Sequence, residues 1–123
     1  MFHSSRYGKI LHVSNIHYVR ILQQAILYTD AVEPENFAAQ ACYHTSALPC
    51  MRICYPKNHP ALAYHLLNCG IFARKAARGE NWKQIAQDYL SEAYGMIKFT
   101  LGDQHHMSLQ ACDELRMLSQ TQS

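Results

Sequence analysis

The feature that most constrains this chain is that it repeats its own punctuation. Ile21-Leu22-Gln23-Gln24-Ala25-Ile26-Leu27 aligns with Leu66-Leu67-Asn68-Cys69-Gly70-Ile71-Phe72 at an offset of 45, and Glu35-Asn36-Phe37 aligns with Glu80-Asn81-Trp82 at 45 again. Ala41 and Ala86 share that spacing. After Pro49 the offset becomes 46, pairing Arg52 with Lys98 and Tyr55-Pro56-Lys57-Asn58-His59-Pro60 with Leu101-Gly102-Asp103-Gln104-His105-His106. A unit that occurs twice cannot bury its apolar face alone, so the two copies must stack into one continuous core.

The pattern inside each unit is helical. Leu11, Tyr18, Leu22 and Ala25 form one apolar stripe, Leu62, Leu66, Gly70, Ala73 and Ala77 a second, and Trp82, Ala86, Leu90, Ala93 and Ile97 a third, all at steps of three, four or seven. Breaks at Ala31 to Glu35, Tyr55 to Pro60, Gly79-Glu80 and Gly102-Asp103 predict helices near 7–30, 35–53, 60–78, 81–100 and 105–119. Pro60 suits a first helical turn, and Asn81 followed by Gln84 resembles a capping box. Pro49 predicts a bend or a stop near Ala47 to Cys50, because it cannot donate to the Thr45 carbonyl. No strand signal is found. The expected fold is all-α: antiparallel helix pairs of tetratricopeptide type forming a short superhelical solenoid with a capping C-terminal helix. One domain spans 7–119, with units of about 7–53 and 60–100, a cap at 105–119, and tails at 1–6 and 120–123.

Composition narrows the function classes. Charged residues make up only 16% of the 123 residues against 49% hydrophobic ones, which argues for a packed domain rather than disorder. The net charge of +2 carries no basic footprint for nucleic acid. Five glycines without a cluster provide neither a phosphate-cradling loop nor a dinucleotide fingerprint. Five cysteines (Cys42, Cys50, Cys54, Cys69, Cys112), an odd number without CxxC spacing, fit a reducing setting in the cytoplasm or nucleus. No signal peptide and no apolar run long enough for a membrane span is seen.

The run from Asn15 to Leu115 resembles the C-terminal helical domain of the SMYD family, the lysine methyltransferases that carry SET and MYND domains. The matching features are Asn15-Ile16 opening a helix through Leu22 to Ala25, an aromatic at Phe37 after a loop, and the Tyr55-Pro56-Lys57-Asn58-His59-Pro60 corner. Gly70 within the next helix and Ala86 and Leu90 in its partner also match. The most specific match is Met96-Ile97-Lys98-Phe99-Thr100-Leu101-Gly102-Asp103-Gln104-His105. Ala86, Leu90 and Ala93 reproduce the small-large-small spacing of a tetratricopeptide unit, though the interval from Gly70 to Ala86 is longer than usual there. The resemblance implies a domain that packs on the SET region of the same protein and walls one side of the cleft for protein substrates such as histones. In some relatives it also receives the acidic tail of a heat-shock chaperone. The family's cofactor-binding Asn-His motif, catalytic tyrosine context and MYND cysteines have no counterpart here. No catalytic, cofactor or metal residue is therefore carried over, and S-adenosylmethionine and zinc would belong to SET and MYND parts absent from these residues.

Candidate sites follow from chemistry. Asn68, Arg74, Lys75 and Arg78 have the composition of a carboxylate clamp, cations and an amide on a helical face to pair with an acidic peptide; the plainer use is a solvated, positively charged helix end that suits the C-terminal dipole. Cys50 and Cys54, at i and i+4 with His59 nearby, could hold a metal, but structural zinc usually takes paired knuckles, and small buried cysteines are the expected use. His59 and His105 repeat at 46 and each opens a helix after a turn, so both are expected to serve exposed backbone there. Trp82 and Phe37 read as core anchors, with Gly70, Ala86 and Leu90 where paired helices approach. Eight tyrosines (Tyr7, Tyr18, Tyr28, Tyr43, Tyr55, Tyr64, Tyr89, Tyr94) offer recognition surface, with Tyr18 on an apolar stripe.

Three functions compete: a non-catalytic SMYD-type helical domain, expected to be the tail of an enzyme whose chemistry lies upstream; a free-standing adaptor for an acidic peptide tail; and a small Cys/His hydrolase. The first is preferred. An in-frame SET and MYND region upstream would favour it over the adaptor, and a thiol alkylation profile without a reactive cysteine would remove the hydrolase.

Overall fold

The computed structural model describes residues 16–120, and all of its regular elements are α-helices. In chain order they are α1 (Ile16–Val32), α2 (Phe37–Cys54), α3 (Pro60–Ala76), α4 (Trp82–Leu101) and α5 (His106–Gln120). The all-α class expected from the sequence is what is found. The expected start of the first helix at residue 7, with Leu11 of its stripe and Tyr7, lies outside the described residues.

Each helix packs mainly on its neighbours in sequence: α1 on α2, α2 on α3, α3 on α4 and α4 on α5, with α5 also touching α3. Helix α3 therefore sits centrally. Its Leu62, Ala63, Leu66, Leu67, Cys69, Gly70 and Ile71 are all buried, which is more than one stripe can supply. From α1 the core receives Tyr18 and Leu22, from α2 Ala47, Leu48 and Met51, from α4 Ala86, Leu90, Ala93, Met96 and Ile97, and from α5 Ala111 and Leu118.

Helices α3 and α4 approach tightly at Gly70. A Cβ added at Gly70 would lie 2.6 Å from Leu90 Cγ and 3.1 Å from its backbone nitrogen. Glycine is required there because the branch of Leu90 already occupies that space, so the Gly70 contact is with Leu90 first. Ala86 is buried in the same core.

Local chemistry explains the helix ends. His59 Nδ1 accepts from the Ala61 amide at 3.0 Å, and His105 Nδ1 accepts from the Met107 amide at 3.1 Å. The two repeated histidines thus perform one capping role at equivalent corners. Asn36 Oδ1 accepts from the Ala39 amide at 3.2 Å. Its repeat equivalent does not: Asn81 makes no side-chain cap, and Gln84 instead donates to Asp88 at 2.8 Å along the exposed face of α4, so the expected capping box is absent. Helix α3 ends at Ala76 rather than 78, with Ala77 left-handed at φ 49°. Gly102 closes α4 at φ +89°, a backbone conformation that glycine adopts without steric cost. Pro49 does not stop α2, which runs on to Cys54, and the proline ring faces solvent.

Candidate functional site

Two surface grooves follow from the staggered packing. The first is built by α1, α2 and α3, has a volume of about 460 Å³, and presents Gln23, Gln24, Asn68, His44, His65 and Tyr64 among its lining. Tyr55, Met51 and Leu27 also line it, Leu27 being 61% exposed. Among the described residues no charged side chain lines it. Three amides, each both donor and acceptor, beside exposed Leu27 and Tyr64 make a surface suited to an extended main chain carrying apolar side chains.

The second groove is built by α2, α3 and α4 and measures about 480 Å³. Its floor is made of small side chains, Ala38, Ala41, Thr45, Ser46, Ala73 and Ala76, and its wall includes Trp82, Ile85 and Tyr89. Arg78 lies at its end, and with Cys42 it also lines an adjoining hollow that runs to Glu33 and Asn36.

The four residues expected to form a carboxylate clamp are not brought together. Asn68 lines the first groove, whereas Arg78 lines the second. Arg74 donates from Nε to Glu114 Oε1 at 2.7 Å, both side chains mostly sheltered, and so ties α3 to α5. Lys75 holds its ammonium 5.3 Å from the centre of the Phe37 ring and 6.0 Å from that of Phe72. One cation is thus spent on a carboxylate and another on two aromatic faces. The sequence places these residues close in number, but α3 ends at Ala76 and the left-handed Ala77 takes Arg78 off the helical register that would have set it one turn from Arg74.

The aromatic expectations divide. Tyr18 is core, Tyr55 and Tyr64 line the first groove and Tyr89 the second, while Trp82 and Phe37 are half-buried at the starts of α4 and α2. Trp82 therefore packs on the core and also walls a groove.

The lining of the first groove includes a pair that spacing did not single out. His44 stacks on Phe72 with ring centres 5.2 Å apart and 14° between planes, and its other neighbour, His65, is also 5.2 Å away. His65 Nε2 donates to the His44 carbonyl at 2.6 Å. His44 is buried and its Nδ1 has no hydrogen-bond partner. Burial, with help from the facing His65, pushes the His44 imidazole down to about 4. Burial also lowers His65, partly offset by its bond to the His44 carbonyl. Both are thus held neutral near pH 7.

The two buried cysteines, Cys50 and Cys69, are shifted away from thiolate character. Burial pushes the Cys69 thiol up to about 12, and burial with the neighbouring Cys54 raises Cys50. A nucleophilic cysteine needs the opposite shift. Cys50 and Cys54 hold their sulfurs 3.6 Å apart, and among the described residues no three His, Cys, Asp or Glu side chains gather as a metal cluster. No described helix is long and apolar enough to cross a membrane.

Compared with known proteins, the chain matches no family model, no curated protein and no solved structure.

Proposed function

We propose that this chain acts as a non-catalytic protein-interaction domain, the C-terminal helical domain of a SMYD-type protein lysine methyltransferase, walling a substrate cleft beside the SET region. The single observation that carries the interaction role is the uncharged groove of α1, α2 and α3, with amides along it and Leu27 and Tyr64 exposed in its lining. The family assignment rests on the sequence resemblance from Asn15 to Leu115. In this reading S-adenosylmethionine and zinc are held by the SET and MYND parts, and histone-like substrates and the SET region are the partners, in cytoplasm or nucleus.

The adaptor reading receives less support. A clamp for an acidic tail needs Asn68, Arg74, Lys75 and Arg78 on one surface, whereas Arg74 is committed to Glu114 and Asn68 lines an uncharged groove.

The test is association in trans. The purified chain, mixed with the SET–MYND catalytic region of a SMYD-type enzyme lacking its own helical domain, is expected to co-elute with it on gel filtration. Leu27→Asp combined with Tyr64→Asp, two exposed positions, is expected to abolish the complex while leaving the helical circular dichroism intact. Failure of the unsubstituted chain to associate would overturn the proposal.

A further inference from the structure

Cys50 and Cys54 stand apart from both grooves and from the proposed interaction role. They occupy adjacent turns of α2, with Cys50 buried and Cys54 exposed, and their sulfurs are 3.6 Å apart. Two explanations for such a pair can be separated by geometry. A disulfide needs its Cβ atoms about 3.8 Å apart, whereas residues four apart on a helix hold theirs at about 5–6 Å, so a disulfide would require the last turn of α2 to distort. A chelated ion does not. Two thiolates bound at about 2.3 Å to a tetrahedral zinc ion lie about 3.8 Å apart, close to the separation already present.

We propose that Cys50 and Cys54 form a two-thiolate chelating site for a thiophilic divalent cation of the zinc class. Cys54 meets the ion from solvent, and Cys50 completes the chelate from the helix side. The reaction balances as two thiols and one dication giving the dithiolate complex and two protons released to solvent, with no change of oxidation state. The remaining two coordination positions are open to water or to a donor from a bound partner. His59 adds no Nδ1 ligand, since that atom already accepts from the Ala61 amide.

Neighbouring structure keeps the pair in register. Between the two cysteines Arg52 makes a bidentate ion pair with Glu92 of α4, at 2.7 and 2.8 Å. After them Tyr55 donates its backbone N–H to the Met51 carbonyl at 3.0 Å. The backbone of the turn that carries the sulfurs is thereby anchored on both sides, and only the buried Cys50 side chain has to turn toward the ion.

The experiment titrates the reduced chain with cadmium ion, a spectroscopic stand-in for zinc, and follows thiolate-to-metal charge-transfer absorbance together with proton release in weak buffer. One ion per chain and two protons per ion are expected, with zinc competing for the same site. Cys54→Ser, an exposed change that leaves the core untouched, should weaken binding at least tenfold, as should Cys50→Ala. Cys42→Ser and Cys112→Ser should leave it unchanged. Retention of binding in Cys54→Ser, its loss in Cys42→Ser or Cys112→Ser, or release of a single proton per ion would overturn the proposal and leave a packing contact between two thiols.

Discussion

At the scale of single residues, Gly70 and His44 are the most exposed to test. Alanine at position 70 gains about 1 kcal/mol of helix propensity, but its Cβ would sit 2.6 Å from the branch of the fully buried Leu90. Overpacking wins, and Gly70→Ala is expected to lower stability by about 1–3 kcal/mol in urea denaturation. For His44 the sign follows from linkage. Its folded value of about 4 lies below the unfolded 6.5, so the unfolded chain takes up a proton that the fold resists. Stability is therefore full above pH 6.5, falls as the pH drops through that window, and levels off once the pH is below the folded value; His44 alone contributes a loss of about 2 kcal/mol at pH 5. His44→Phe retains a ring against Phe72, removes an unpartnered buried nitrogen, and should leave stability at pH 7.5 within about 1 kcal/mol while flattening the fall between pH 7 and pH 5. Denaturation midpoints measured across that range check both statements. Gly70 was legible beforehand, because a small residue recurs where paired helices meet. His44 was not, since a histidine on a helix gives no local sign of which aromatic neighbour will cover it.

At the scale of elements, the cap helix depends on a contact between residues forty apart in sequence. Arg74 of α3 reaches Glu114 of α5 at 2.7 Å, and Ser108 Oγ donates to the Gly102 carbonyl at 2.6 Å, fastening the start of α5 to the end of α4. Both Arg74 and Glu114 are largely sheltered, so Glu114→Gln should cost about 1–3 kcal/mol. Hydrogen exchange should speed up in α5 first, with α3 and α4 the last to change. The helices themselves were readable to within one or two residues wherever the prediction fell on described residues, because their stripes and breakers are local signals. What local signals cannot carry is the choice between two uses of a charge: Arg74 has the same spacing whether it meets a peptide's carboxylate or Glu114. The same holds at Asn81 and Gln84, where the motif for a capping box is present but Gln84 pairs with Asp88 instead. Pro49 shows that a proline does not by itself set a helix end: it lies inside α2, with Ala47, Leu48, Cys50 and Met51 buried on either side of it.

At the scale of the whole molecule, the repeat explains both grooves. Stacking one helix pair on the next leaves a furrow on each side, one with amides and aromatics along it and one with a floor of alanines, serine and threonine. The repeat was visible as an offset in the sequence; the furrows were not, because their walls combine residues from three helices. In the proposed function this domain acts on what an adjoining catalytic region can reach and performs no chemistry itself. The most direct test measures methyl transfer to histone and non-histone lysine peptides by the chain alone, by a SMYD-type SET–MYND region alone, and by the two together. No transfer and no S-adenosylmethionine binding are expected of the chain alone, and a changed substrate preference is expected of the mixture that Leu27→Asp with Tyr64→Asp removes. Transfer by the chain alone, or an identical preference with and without it, would overturn the proposed function.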